Sequence, residues 1–310
     1  MRTVHAVMPP TPQYAWPLLR ERLGVTVWVK HENHTPTGAF KVRGGLTYFE
    51  TLRREHPQVA GVISATRGNH GQSVGFGARK YGMAATIVVP RGNSVEKNAA
   101  MKALGVTLLE EGDDFQAARE FAMHLAAEQG LHMVPSFHRN LILGVMSYWV
   151  EFFESFARGH EPEVVFVPIG QGSGFCAAVA AREYTGAKSK LVAVCSAHAT
   201  TYLDSFRERT VVAAPVTTQL ADGMACRIAD EEPLDILLRN AEEVVAVTDD
   251  EVAQAMRVLF ADTHNVAEGA GAAALAAAIQ QRERFKGCTV GVALTGGNVD
   301  SAVFAKVLAR

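Results

Sequence analysis

Short apolar runs bounded by glycine or charge recur along the chain, and amphipathic stretches fall between them. "VTVWVKHE", "GVISAT", "AATIVVP" and "VTLLEEG" come first, then "EVVFVPIG", "KLVAVCSA", "EEVVAVT" and "CTVGVALTGG"; their length and β-branched content predict strands. "GGLTYFETLRREH", "GNHGQSVGFGARKYG", "VEKNAAMKALG", "DDFQAAREFAMHLAAEQG", "DDEVAQAMRVLFADT" and "GAGAAALAAAIQQRER" predict helices. This alternation argues for an α/β fold with parallel sheets covered by helices. No low-complexity linker or fixed-period repeat is visible, so any second lobe is an insertion within the first rather than a bead on a string.

With 310 residues, two lobes or one large α/β unit are expected. The apolar fraction of 48% and charged fraction of 20% are those of a globular protein. A net charge of −2 gives no reason to expect nucleic acid or a membrane surface as partner. No apolar run reaches the ~18 residues of a membrane span, and the prolines of "MRTVHAVMPPTPQ" interrupt any signal-peptide core. Cys176, Cys195, Cys226 and Cys288 are widely spaced, which reads as reduced thiols of a cytoplasmic protein rather than a zinc or disulfide framework.

Ligands of open α/β sheets bind beyond the carboxyl ends of strands, and four such places carry chemistry. "VVFVPIGQGSGFCAAVAA" is strand, glycine loop and helix, a site for an anion on free N–H groups. A dinucleotide fingerprint would need a third glycine where Phe175 stands and a ribose-binding acid where Cys195 stands, so a phosphate without a ribose fits better. "SATRGNHGQS" offers Ser64, Thr66, Asn69 and Gln72 beside Gly68 and Gly71, which suits a carboxylate; ordinary N-capping is the alternative. "VALTGGNVD" ends the last strand with the Thr295 hydroxyl and glycines that clear space for a flat ligand; a plain turn is the alternative. Lys41 follows "PTGAF" in the first turn of a helix, where the dipole and partial burial disfavour an ammonium. A lysine of lowered pKa is what Schiff-base chemistry needs, although a stem packed on apolar surface with its head in water is the common fate.

A lysine, a phosphate loop, an asparagine-bearing anion loop and a hydroxyl at a strand end together describe a bound pyridoxal phosphate. The sequence resembles the fold-type II pyridoxal-phosphate enzymes, in the branch of serine/threonine dehydratases and serine racemase. "PTGAFKVRGG" is similar to the family's P-T-G-S-F-K-x-R-G-A, "GNHGQS" to S-G-N-H-G-Q, "GQGSG" to a tetraglycine loop, "LADGMA" to A-D-G-V, "AEGAGAAAL" to E-P-x-G-A/V-x-x-x-A, and "LTGGNVD" to L-S-G-G-N-x-D. The resemblance implies a two-lobe, tryptophan synthase β-like architecture with the cofactor between lobes: a large lobe of residues 1–52 and 139–310 and a small inserted lobe of 53–138. It implies Lys41 as the Schiff-base lysine and α-proton base, with Phe40 beside it, and Asn69 on the phenolic oxygen. Gly170, Gln171, Gly172, Ser173 and Gly174 would hold the phosphate, and Thr295 with Gly296 would lie at the pyridine nitrogen. Ser64, Thr66, Arg67, Gly68 and His70 would receive the substrate. The implied reaction is elimination of water from a β-hydroxy-α-amino acid such as threonine or serine by a homodimer or homotetramer. Alternatives are a dehydratase for 3-hydroxyaspartate or phenylserine, an amino acid racemase, or a protein that binds without catalysis.

Two departures bear on these choices. Serine racemase carries a serine two places before the asparagine, and here that residue is Arg67, which favours a dehydratase. The family's metal-site acid is replaced by Cys195, and His31 and His34 in "HENH" make a weak site, so no metal is expected.

Overall fold

The computed structural model describes residues 1–309. Contacts divide the chain into two compact units. The smaller comprises Met1–Pro9, Thr35–Gly144 and Asn298–Asp300; the larger comprises Pro10–His34, Val145–Gly297 and the residues from Ser301 on. The strands in chain order are β1 (Gln13–Ala15), β2 (Thr26–His31), β3 (Gly61–Ala65), β4 (Ala84–Val89), β5 (Thr107–Glu110), β6 (His132–Met133), β7 (Val164–Pro168), β8 (Lys190–Ser196), β9 (Ala241–Val247) and β10 (Thr289–Leu294).

In the larger unit the strand order is β1-β2-β10-β7-β8-β9. Only β1 runs antiparallel to its neighbour; the other pairs are parallel. Val164 to Val167 of β7 are all buried, as expected where helices cover both faces of a parallel sheet. The helix Gly269–Gln280 supplies much of that cover, with alanine and glycine nearly throughout and ten consecutive buried residues. Because β7 and β10 are adjacent and parallel, the loops at their carboxyl ends, residues 169–172 and 295–297, leave the sheet side by side.

In the smaller unit β5-β4-β3-β6 form an all-parallel sheet. Helices Lys41–Glu55 and Asn69–Lys80 pack closely against each other. A Cβ placed on Gly45 would strike the Ser73 hydroxyl, and one on Gly77 would strike the Phe49 ring. The contacts therefore step Gly45–Ser73, then Phe49–Gly77, four residues on along each helix. That is the row spacing of ridges packed into grooves, and it makes the helices parallel. Four residues before Gly45 and Ser73 stand Lys41 and Asn69, so the first residues of the two helices lie together at one end.

This packing also decides where the units part. The sequence placed an insertion at 53–138, whereas residues 35–52 and 139–144 cluster with the smaller unit. The helix from Lys41 belongs with its partner from Asn69, and a Cβ on Gly144 would meet the Arg43 carbonyl oxygen. Among the described residues, no helix is long and apolar enough to cross a membrane.

Candidate active site

The chain enters the first helix through a tight turn. Gly38 N–H donates to the Thr35 carbonyl at 3.0 Å, and the Thr35 hydroxyl both donates to Ala39 O at 2.8 Å and accepts from Ala39 N at 2.9 Å. Phe40 is the N-cap residue and Lys41 the first helical residue, as expected from "PTGAF". The Lys41 ammonium lies 5.2 Å from the Phe40 ring centroid. Its carbonyl accepts from the Ser73 hydroxyl at 2.6 Å, which fixes the lysine's backbone against the second helix.

The second helix starts at a turn built around Thr66. The Thr66 hydroxyl oxygen accepts from Gly68 N–H at 3.0 Å and Gly71 N–H at 3.3 Å. Gly68 has φ +157° and ψ −81°, a conformation that side chains disfavour, and a Cβ there would lie 2.5 Å from Lys97 Cδ. Thr66 retains its hydroxyl hydrogen for an anion. Asn69 Oδ1 accepts from Asn298 Nδ2 at 2.8 Å. The His70 ring is buried and bonded to the carbonyls of Val134 and Pro135, and its Nε2 has no partner. Burial, reinforced by the Lys41 charge, pushes its pKa down to about 3, so it stays neutral. Gln72 Nε2 is likewise buried without a partner.

Two expected substrate contacts need correction. The Ser64 side chain is fully buried in β3 and its hydroxyl donates to Val134 O at 2.9 Å, so it ties strand to loop instead of meeting an anion. Gly68 spends its own N–H on Thr66 and contributes shape only. Arg67, by contrast, is half-buried and has no hydrogen bond or ion pair among the described residues.

The larger unit carries the glycine loop after β7. Gly172 is the N-cap residue at φ +92°, and the helix Ser173–Thr185 begins with no side-chain cap and no acid in its first turn. A Cβ on Gly170 would strike Gly223 O, so that backbone passes with no room for a side chain. Gln171 turns aside to Cys226 Sγ at 3.4 Å. Ser173 opens the helix with a buried side chain, beside Gly174. Uncapped N–H groups, a hydroxyl and a glycine cradle form a donor set for a phosphate. At the end of β10, Thr295 is buried and its hydroxyl reaches only a long 3.4 Å bond to Ala270 O. Gly296 O accepts from Glu268 N–H at 3.1 Å. Each donor set by itself fits part of pyridoxal phosphate: the smaller unit offers an amine and an amide suited to the ring, and the larger a hydroxyl suited to the ring and an uncapped helix start suited to the phosphate.

Among the described residues no three His, Cys, Asp or Glu side chains are grouped to hold a metal ion. His31 Nε2 accepts from Trp16 Nε1 at 3.0 Å, and His34 Nε2 is bonded to Asn265 Oδ1 at 2.7 Å. Burial pushes the Cys195 thiol up to about 12, which keeps it protonated. The residue that sequence reasoning missed is Asn298. It lies in the quoted "LTGGNVD", but nothing in a local pattern ties it to Asn69.

A family model described as "Pyridoxal-phosphate dependent enzyme" matches residues 6–296. An L-threonine ammonia-lyase of Geobacter sulfurreducens is 33% identical over 94% of this chain and 71% of its own length. An L-threo-3-hydroxyaspartate ammonia-lyase of Saccharomyces cerevisiae is 28% identical over 96% of this chain and 90% of its own. The structure of the processed form of threonine deaminase isoform 2 from Solanum lycopersicum superposes with a TM-score of 0.90 at 26% identity, covering 98% of this chain and 88% of that one. The chain belongs to the pyridoxal-phosphate-dependent enzymes, as a lyase of the dehydratase group.

Proposed function

We propose that the enzyme removes water from a β-hydroxy-α-amino acid such as threonine or serine, giving a 2-oxo acid and ammonia. The observation that carries this reading is the pairing of two parallel helix starts, which brings Lys41 and Asn69 together. Lys41 would bear the cofactor and would be the base for the α-proton. Asn69 would serve the phenolic oxygen, residues 170–174 the phosphate, and Thr295 with Gly296 the ring nitrogen. When bound, pyridoxal phosphate takes up the electron pair left by the α-proton. A neutral hydroxyl at the ring nitrogen favours a charged pyridinium less than a carboxylate would, so prompt loss of the β-hydroxyl is favoured over transamination. The Thr66 hydroxyl and the N–H groups at the start of the second helix hold the substrate carboxylate. The departing hydroxyl takes up the proton that Lys41 removed and leaves as water, and a second water hydrolyses the resulting enamine product to the 2-oxo acid and ammonia. We read the enzyme as a cytoplasmic homodimer or homotetramer: its cysteines are free thiols, and the family resemblance implies the assembly. Equal release of ammonia and 2-oxo acid from threonine or serine tests this function; a protein that binds the cofactor yet yields neither from any β-hydroxy amino acid contradicts it.

Arg67 favours a dicarboxylic variant of the same reading. An unpaired guanidinium in the carboxylate loop is suited to a second carboxylate, because it is planar, permanently charged and bidentate. The yeast relative, whose name specifies 3-hydroxyaspartate, supports that direction. Arg67 is half-exposed, so solvent screens the pair and a modest loss is expected on truncation. Arg67→Ala should lower kcat/KM for threo-3-hydroxyaspartate by roughly tenfold to thirtyfold, about 1.4–2 kcal/mol, and change the value for threonine little. Equal losses on both substrates would remove Arg67 from side-chain recognition.

A further inference from the structure

We propose that Asn298 is a positioning residue that fixes which end of the Asn69 amide faces the cofactor. The inference rests on the reading of Asn69 as the partner of the phenolic oxygen.

The Asn298 amide nitrogen donates to the Thr37 carbonyl at 2.8 Å and to Asn69 Oδ1 at 2.8 Å. A carbonyl can only accept, so Thr37 dictates which end of Asn298 is the nitrogen. Both hydrogens of that nitrogen are then committed, and the second must meet an acceptor. Asn69 therefore turns its oxygen to Asn298 and its NH2 end away. The two ends of an asparagine amide are nearly the same shape, and this partner distinguishes them. A donor is what a phenolic oxygen requires; a carbonyl turned toward it would repel it.

The surroundings hold Asn298 in this pose. Gly38 has φ +68°, and a Cβ there would lie 2.6 Å from Asn298 Oδ1, so the amide fills the space a side chain would take. Two residues further on, the Asp300 carboxylate accepts from the Ser94 hydroxyl, whose oxygen also caps the helix Val95–Ala103 by accepting from Lys97 N–H at 3.0 Å. The short segment Asn298–Asp300 clusters with the smaller unit, although the chain on either side of it belongs to the larger. Asn298 thus joins the turn that leads into Lys41 to the amide of Asn69.

The test uses the full-length enzyme loaded with pyridoxal phosphate. It compares Asn298→Ala, Asn69→Ala and the double variant by the visible absorption maximum of the bound cofactor, its pH dependence, and cofactor affinity. Asn298→Ala should move the absorption maximum in the same direction as Asn69→Ala and weaken cofactor binding roughly tenfold, the effect of one hydrogen bond to a charged oxygen. In the Asn69→Ala background it should move the spectrum no further. Should Asn298→Ala fail to fold, Asn298→Asp keeps the shape, reverses the polarity toward Asn69 and should give the same shift. A lowered Tm with an unchanged spectrum, while Asn69→Ala shifts it, would make Asn298 merely structural and overturn the proposal. An unchanged spectrum in Asn69→Ala itself would instead remove Asn69 from the phenolic oxygen, and the inference would fall with that assignment.

Discussion

Lys41→Ala is expected to lower turnover of a β-hydroxy amino acid by at least about 10³-fold while leaving the fold intact. General-base removal alone costs roughly 10²- to 10⁴-fold, and in the proposed function the same side chain also carries the cofactor. The two helix starts that define the position are locked together by the Gly45–Ser73 and Phe49–Gly77 contacts. The fold should survive because the bond that anchors this residue runs from the Ser73 hydroxyl to the Lys41 carbonyl, which alanine retains. Alanine at the first helical position also suits the helix. Steady-state release of 2-oxo acid and thermal unfolding of the variant measure the two halves of this expectation. A variant that unfolds at the same temperature and loses less than tenfold in kcat would take Lys41 out of the proton transfer.

The second large effect is on stability in acid. Burial lowers the His70 pKa to about 3 and the His31 pKa to about 4. In the unfolded chain both titrate near 6.5. Between those values the unfolded state binds protons that the folded state does not, so stability falls as pH drops. The full contribution is present above about pH 6.5 and is lost progressively on acidification toward the folded values. At pH 5 each histidine should cost roughly 2 kcal/mol, one in each unit, a sizeable part of the 5–15 kcal/mol that holds a typical domain folded. His70→Gln should remove the part that belongs to the smaller unit, and its Tm should vary less between pH 7.5 and pH 5 than that of the unaltered protein. An unaltered protein with the same Tm at both pH values would mean that neither imidazole is held neutral.

Most of the sheet-forming chain is legible from local pattern. Runs such as "VVFVP" and "AATIVV" are buried strands of parallel sheets, and each is followed by the helix its neighbouring residues announce. The helix Arg139–Glu154 was not legible in this way. Leu141, Val145, Tyr148, Trp149, Val150, Phe152 and Phe153 are all buried, and the polar Ser147 and the side chain of Glu151 are buried as well, so its polar positions do not mark a solvent face. The strands Gln13–Ala15 and His132–Met133 are too short to register as a pattern. The helix starts at Lys41 and after the glycine loop were legible because each is a local device, a turn followed by a helix. Ser64 was misread because a serine at a strand end looks like an exposed donor, and only the path of residue 134 shows its hydroxyl already engaged. The unit boundary was misplaced for a similar reason: which helix a segment joins depends on contacts such as Gly45 with Ser73, which no local window contains. Asn298 lies 229 residues from Asn69, and its bond to that residue is visible only in the fold.

The central claim is that Lys41 carries the cofactor. Reduction of the loaded enzyme with borohydride, proteolysis and mass spectrometry of the peptides test it most directly. The account predicts a pyridoxyl-phosphate adduct on the peptide containing Lys41 and none in Lys41→Ala. An adduct on Lys30, Lys97 or any other lysine of the unaltered enzyme would contradict it.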